Sequence, residues 1–113
     1  MHELSIVIDL VELCEQNLKK EGLKRVEKIE IGIGRLSGVE PHYLKEAFEV
    51  YKVGTVCAKA SLKIDIDEIV VNCKNCHQSS TLKKNEFLCP KCGSNDLEVV
   101  SGEDMILKKI TMS

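Results

Sequence analysis

The sequence predicts an α+β protein: two helices packed on a small mixed β-sheet, with an inserted zinc-ribbon-like domain that carries four cysteines. Two segments have apolar residues at helical spacing, several others alternate with a period of two, and four cysteines form two CxxC pairs. The chain has 113 residues, 43% hydrophobic and 4% aromatic, which suffices for one modest core. The cysteine-bearing insert is therefore expected to need a bound metal.

The first helix is predicted over residues 3–20, where apolar side chains recur every three or four positions and charged ones lie between them. These apolar positions are Leu4, Val7, Ile8, Val11, Cys14 and Leu18. Gly22 follows Lys19 and Lys20 and gives the helix a stop. From Val26 to Gly34, polar or small residues alternate with β-branched ones, which predicts a strand.

The second helix is expected to begin at Pro41, which suits a first helical turn, and to end at Gly54. Its apolar face is formed by Leu44, Ala47, Phe48 and Tyr51. An alternating strand follows over residues 62–66, and the pattern predicts that it continues through Ile69 to Val71.

The composition divides the chain into two predicted domains. Residues 1–70 and 101–113 form an α/β domain, and residues 71–100 form the zinc domain, which is rich in Lys, Asn, Ser and Cys. Short strands are expected over 97–100 and 105–110, and the last one should return to the sheet of the first domain.

Four cysteines are the most specific chemical signal in the chain. Cys73 and Cys76 form one CxxC pair, Cys89 and Cys92 form the other, and twelve residues separate the pairs. Two such turns can face each other and complete a tetrahedron of thiolates around zinc. Two disulfides, a four-thiolate iron centre and a redox CxxC are the alternatives, and structural zinc is favoured over them.

Lysines lie within or close to the two cysteine turns: Lys74, Lys83, Lys84 and Lys91. Their simplest role is to compensate the negative charge of a four-thiolate zinc site. The alternative is that they form a basic surface for nucleic acid, which would make the protein a zinc-ribbon nucleic-acid module. That alternative is disfavoured because 16 Lys and Arg against 18 Asp and Glu give a net charge of −2. A hydrolase is disfavoured because four cysteines leave zinc no open position.

The remaining cysteines, the histidine beside the cluster and the cellular location give weaker signals. Cys14 fits the apolar face of the first helix, and Cys57 has no evident partner in the sequence. His77 is expected to be a solvated loop residue, and transient substitution for a thiolate is the alternative. No stretch has the pattern of a signal peptide or a membrane span, so a cytoplasmic location is expected.

The chain begins Met1-His2-Glu3. A histidine in second position can close fused chelate rings on one cation through the α-amine, its own backbone nitrogen and its imidazole. Nickel and copper accept square-planar nitrogen ligation of this kind, whereas zinc prefers a tetrahedron. By sequence alone, an ordinary terminal residue is the simpler interpretation of His2.

The ordered combination of motifs along the chain resembles the HypA/HybF family of hydrogenase nickel-incorporation proteins. The motifs are Met-His-Glu-Leu-Ser at the start, Ile31-Gly32-Ile33-Gly34, Leu36-Ser37-Gly38-Val39, Ala47-Phe48-Glu49, the two CxxC pairs and Ser101-Gly102-Glu103. The resemblance covers essentially the whole chain.

This resemblance implies a nickel metallochaperone, not an enzyme, that carries Ni(II) as cargo and Zn(II) as a structural ion. It implies that the protein works with a partner GTPase and supplies nickel to the large subunit of nickel-iron hydrogenase. In some bacteria the urease accessory machinery would also receive nickel. The resemblance implies no nucleic-acid or membrane partner. His2 matches the family's nickel ligand, with the Met1 amine and the Glu3 backbone as auxiliaries. Glu40 is a candidate oxygen donor, for which a helix N-cap is the simpler alternative.

Overall fold

The computed structural model describes residues 3–82 and 86–113. These residues form two helices and six strands, and the strands make two three-stranded sheets with the orders β2-β1-β6 and β4-β3-β5. In chain order the elements are α1 (Glu3–Glu21), β1 (Val26–Gly34), α2 (Pro41–Tyr51), β2 (Ser61–Asp67), β3 (Ile69–Cys73), β4 (Ser79–Leu82), β5 (Leu97–Ser101) and β6 (Met105–Met112). The predicted α+β class is confirmed.

The chain divides into two compact units. The first, called here the helical unit, comprises the described residues up to Gly32 together with Val39–Asp65 and Ile106–Ser113. The second, called here the cysteine unit, comprises Ile33–Gly38 and Ile66–Met105. The domain limits expected from the sequence, with 71–100 as the part that folds around zinc, stay a prediction.

The helical unit is built around α1, which packs against α2, and around the buried face of β1. Its fully or nearly fully buried apolar residues include Val7, Leu10, Val11, Cys14, Leu18, Val26, Ile29, Ile31, Leu44, Phe48, Cys57, Ala60 and Leu62. They recur every three or four positions in the helices, as the sequence pattern predicts.

Lys52 closes the carboxyl end of α2. Its Nζ atom donates to the carbonyl oxygen of Ala60 at 3.1 Å, pairs with the Glu49 carboxylate at 2.7 Å and lies 5.5 Å from the centre of the Phe48 ring. The Lys52 side chain is only 16% exposed, so its aliphatic stem also covers apolar surface. These contacts fix the loop that runs from α2 to β2.

The sheet of the cysteine unit has β3 at its centre, antiparallel to both β4 and β5. Its small core contains Ile69, Val71 and Leu82, with Leu97 and Val99 packed against it. All five of these residues lie in strands β3, β4 and β5, which flank the cysteine turns. The turns themselves contribute little apolar surface.

One strand prediction is wrong. The single strand expected over residues 62–71 is broken at Glu68 into β2 and β3, which belong to different sheets. At the break, the Arg35 guanidinium donates to both carboxylate oxygens of Glu68 at 2.6 and 2.9 Å, and the Arg35 N–H donates to the Asp67 carbonyl. β4 was not expected, because its Ser-Ser-Thr run has no alternation.

Two glycines within the cysteine unit make a close backbone crossing. A Cβ atom on Gly34 would lie 2.3 Å from the carbonyl oxygen of Gly102. Gly102 has φ +97, and a Cβ atom there would lie 2.7 Å from the carbonyl oxygen of Glu68. The Gly34 and Gly102 motifs noted in the sequence are thus requirements of backbone packing.

Candidate metal centres

The structure brings together the four predicted zinc ligands, Cys73, Cys76, Cys89 and Cys92. Their Sγ atoms all lie within 4.8 Å of one another, with 3.5 Å between Cys73 and Cys92 and 3.6 Å between Cys76 and Cys89. A tetrahedral zinc with sulfur at about 2.3 Å requires sulfur–sulfur edges of about 3.8 Å. The donor set therefore fits a closed four-thiolate zinc site.

The two cysteine turns are built in the same way. In the first, the Cys73 N–H donates to the carbonyl oxygen of Gln78 at 2.9 Å, and in the second the Cys89 N–H donates to that of Ser94 at 2.8 Å. Each turn thus closes a loop of the same length. The short sulfur–sulfur distances quoted above run between the turns, as expected for four ligands of one ion.

The residue after the second cysteine of each turn has a left-handed backbone. His77 has φ 59 and Gly93 has φ 78, and their N–H groups donate to the carbonyl oxygens of Cys73 and Cys89 at 2.9 and 2.8 Å. His77 is exposed, as expected for a loop residue. The turn geometry therefore demands a conformation that glycine adopts freely and histidine does not.

Hydrogen bonds to sulfur favour the thiolate form of Cys92, whereas at Cys76 a hydrogen bond with the Gln78 backbone is outweighed by burial and the neighbouring cysteines, which raise its pKa to about 11. The backbone N–H of Ser94, and then the side-chain amide of Asn75, lower the pKa of Cys92 to about 6. The Asn75 amide nitrogen is 3.6 Å from the Cys92 sulfur, and the Cys76 N–H donates to the Cys73 sulfur at 3.5 Å. Since thiolates bind metal, the donors to Cys92 prepare that sulfur for a cation.

The lysines expected to compensate the zinc site are only partly described. Lys74 and Lys91 are exposed, and the Nζ atom of Lys91 donates to the Gln78 side-chain oxygen at 3.4 Å. Lys83 and Lys84 lie outside the described residues. Charge compensation by these side chains stays a prediction.

The predicted nickel donors are also described only in part. Met1 and His2 lie outside the described residues, whereas Glu3 opens α1 and is 7% exposed. The Glu3 carboxylate accepts a hydrogen bond from the backbone N–H of Glu40. Glu40 is the N-cap of α2, since its carboxylate accepts from the His42 N–H at 3.3 Å. The first residues of the two helices are therefore close together.

Cys14 and Cys57 form a thiol pair that the sequence did not reveal. Both side chains are fully buried, and a hydrogen bond between the two thiols raises the pKa of Cys14. The partner that Cys57 lacked in the sequence is thus Cys14. Forty-two residues separate them, and only the packing of α1 against the loop after α2 joins them.

Comparison with known proteins gives consistent matches over the whole chain. A family model described as hydrogenase/urease nickel incorporation, metallochaperone, HypA matches residues 1–112. A protein of Aquifex aeolicus named hydrogenase maturation factor HypA is 42% identical over 112 residues, covering 99% of this chain and 97% of that protein. Its Campylobacter jejuni namesake is 42% identical over 113 residues and covers 99% of both chains.

Solved structures agree with these matches. The solution structure of the nickel metallochaperone HypA from Helicobacter pylori has a TM-score of 0.70 and 31% identity, covering 99% of this chain and 97% of that one. A second solution structure of a HypA protein has a TM-score of 0.76 and 30% identity, covering 100% and 97%. In the part of this chain that the structure describes, neither helix is long and apolar enough to cross a membrane.

Proposed function

The chain belongs to the HypA family of hydrogenase/urease nickel-incorporation metallochaperones, and from this premise we propose where it holds its metals and how it delivers nickel. The nickel ligand is His2, joined by the amino group of Met1 and the backbone nitrogen of Glu3. Glu40 supplies a side-chain oxygen. The observation that carries the proposal is the family match over residues 1–112, which includes the Met-His-Glu start.

Delivery requires a site that holds nickel against competitors and still releases it. Nitrogen donors at the beginning of the chain can be displaced one at a time by an acceptor protein, because they do not belong to a closed cage. Divalent nickel accepts such square-planar nitrogen ligation. Glu40 favours the cation by its negative charge, and its exposed carboxylate can leave the metal without disturbing the core.

The second metal is zinc, bound by Cys73, Cys76, Cys89 and Cys92. Its support is the fit of the four sulfur atoms to a tetrahedron, described above. Because the described core of the cysteine unit is small, the metal contributes directly to folding of the turns. Zinc is structural here, and the chain has no turnover of its own.

The partners are those that membership of the family implies. We expect a GTPase that controls nickel transfer, and as acceptor the large subunit of nickel-iron hydrogenase or the urease accessory machinery, all in the cytoplasm. The alternative function, a zinc-ribbon module for nucleic acid, has little support because the net charge is −2. A salt-dependent shift with DNA or RNA would favour that alternative.

The decisive experiment is nickel titration of untagged, zinc-loaded protein by calorimetry. We expect one nickel per chain in the parent and none bound with comparable affinity in His2→Ala. His42→Ala is the matched control, because this exposed histidine pairs with Glu46 at 3.0 Å and should leave nickel binding unchanged. Parent-like binding by His2→Ala would overturn the proposed site.

A further inference from the structure

We propose that Cys92 is a modification site at which a hydroperoxide opens the four-thiolate zinc centre. The reagent oxidises the Cys92 sulfur first, and Cys73 then closes a Cys73–Cys92 disulfide that releases the metal. This inference rests on the proposed zinc site and goes beyond it, because it assigns different reactivity to cysteines that bind one ion. Hydrogen peroxide is the simplest reagent of the class.

The four cysteines differ in how far solvent reaches them. Cys73 is 2% exposed and Cys89 is 3% exposed, whereas Cys76 is partly buried and Cys92 is exposed. A cysteine that binds zinc is already a thiolate, so exposure and not protonation distinguishes the four. A reagent dissolved in water therefore meets Cys92 before the other three ligands.

The Cys92 sulfur has a buried sulfur next to it. The Sγ atoms of Cys73 and Cys92 are 3.5 Å apart and belong to different turns. Because Cys73 is buried, it contacts Cys92 but is screened from dissolved reagent. A thiolate beside an oxidised cysteine is the arrangement in which a sulfenic acid condenses to a disulfide. Cys73 is thus the resolving partner of Cys92.

The reaction has two steps. The Cys92 thiolate attacks one oxygen of hydrogen peroxide, the O–O bond breaks, and the products are a Cys92 sulfenic acid and hydroxide. The Cys73 thiolate then attacks the Cys92 sulfur, so that an S–S bond forms, the S–O bond breaks and a second hydroxide leaves. Two electrons pass from the two sulfurs to the peroxide, and both hydroxides take up protons from the solvent. Zinc loses two of its four ligands and dissociates.

Asn75 restrains the first step. Its side-chain Nδ2 atom donates to the Cys92 sulfur at 3.6 Å. A sulfur that is stabilised as an anion is a weaker nucleophile, so this hydrogen bond slows attack on the peroxide. Asn75 is itself exposed and lies between Cys73 and Cys76 in the sequence. The first turn therefore supplies both the resolving cysteine and the group that protects Cys92.

The first test maps the modified cysteines of the zinc-loaded chain by peptide mass spectrometry. Limiting N-ethylmaleimide should place its first adduct on Cys92. One equivalent of hydrogen peroxide should release zinc to a chelating indicator and form the Cys73–Cys92 disulfide in equal amount. A first adduct on Cys76, or a disulfide that joins Cys89 to Cys92, would overturn the inference.

The second test compares two asparagine variants. Asn75→Ala should accelerate zinc release by peroxide about two- to fivefold, which is the rate equivalent of one weak hydrogen bond. Asn95→Ala is the matched control at an exposed position of the cysteine unit and should release zinc at the parent rate. Zinc loss without peroxide is subtracted, so a merely looser turn does not count as acceleration. A parent-like rate for Asn75→Ala would overturn its protective role.

The outcomes also separate this inference from the zinc site on which it rests. If the purified chain holds no zinc, the zinc site fails and the inference fails with it. If the chain holds one zinc and peroxide oxidises the buried Cys14 and Cys57 before any zinc is released, only the inference about Cys92 is wrong.

Discussion

Each cysteine turn has one residue with a left-handed backbone, and substituting these two residues should change zinc affinity in opposite directions. His77→Gly relieves a histidine at φ 59, and Gly93→Ala places a side chain at φ 78. A Cβ atom on Gly93 would meet nothing within 4 Å, so the second change carries a conformational cost without a clash. The pair therefore isolates backbone strain.

The magnitude follows from two opposing contributions. A left-handed backbone costs an L-residue about 1–2 kcal/mol. The greater freedom of glycine in the unfolded chain offsets about 0.4–1 kcal/mol of this. The net effect is about 0.5–1 kcal/mol, or about a two- to fivefold change in zinc affinity where folding of the turns is coupled to zinc.

The assay is competition for zinc against a chelating indicator at fixed pH. We expect His77→Gly to hold zinc more tightly than the parent and Gly93→Ala to hold it less tightly. His77→Ala is the control, because it removes the imidazole and keeps the strain, so it should resemble the parent. If His77→Ala gains as much as His77→Gly, the imidazole and not the backbone is responsible, and the reasoning is refuted.

Three further predictions concern stability. Gly102→Ala should destabilise the protein by about 3 kcal/mol or more, because the new Cβ atom would lie 2.7 Å from the Glu68 carbonyl oxygen and the residue has a φ of +97. Chemical denaturation would detect this loss. An unfolding midpoint equal to that of the parent would contradict the close backbone crossing. Cys73→Ser should abolish stoichiometric zinc binding and disorder the cysteine turns while the helical unit stays folded. Metal analysis and NMR spectra of the backbone amides can check both results. An ordered segment 71–100 without zinc would refute the dependence on metal. Lys52→Met should lower the free energy of unfolding by about 1–2 kcal/mol, because the hydrogen bond to the Ala60 carbonyl and the ion pair with Glu49 are lost. Lys45→Met, at an exposed position, is the control in the same denaturation experiment and should leave the stability unchanged.

The regular spacing of apolar residues predicted those helices and strands whose buried faces are continuous. β1 runs from Val26 to Gly34 as expected, and α2 begins at Pro41 behind an N-cap. The alternation does shift phase at the break, since Ile66 and Ile69 are three residues apart and not two, and the prediction of one strand overlooked this shift. Which sheet a strand joins depends on contacts with distant segments, here the bidentate Arg35 side chain.

The sequence alone predicts the shared zinc ligands but not every contact that the structure shows. The spacing of the two CxxC pairs predicts a shared ion because each turn is local, and the structure adds only that the turns face each other. The Cys14–Cys57 contact and the burial of Glu3 have no local signature, since both depend on how α1 packs. Those are the features that a single sequence cannot supply.

The two sets of donors suit two different tasks. Four thiolates in a closed tetrahedron satisfy zinc fully and leave no position from which an acceptor could begin to remove it. The proposed nickel donors are nitrogen and oxygen atoms, among them the exposed carboxylate of Glu40, which accepts a 3.3 Å hydrogen bond from the His42 N–H. In the proposed arrangement, nickel would be withdrawn by replacing the weakest donor first, while zinc would keep the cysteine turns folded throughout the exchange. A delivery protein that used its thiolates for cargo would have to unfold those turns at each transfer, which the separate donor set avoids.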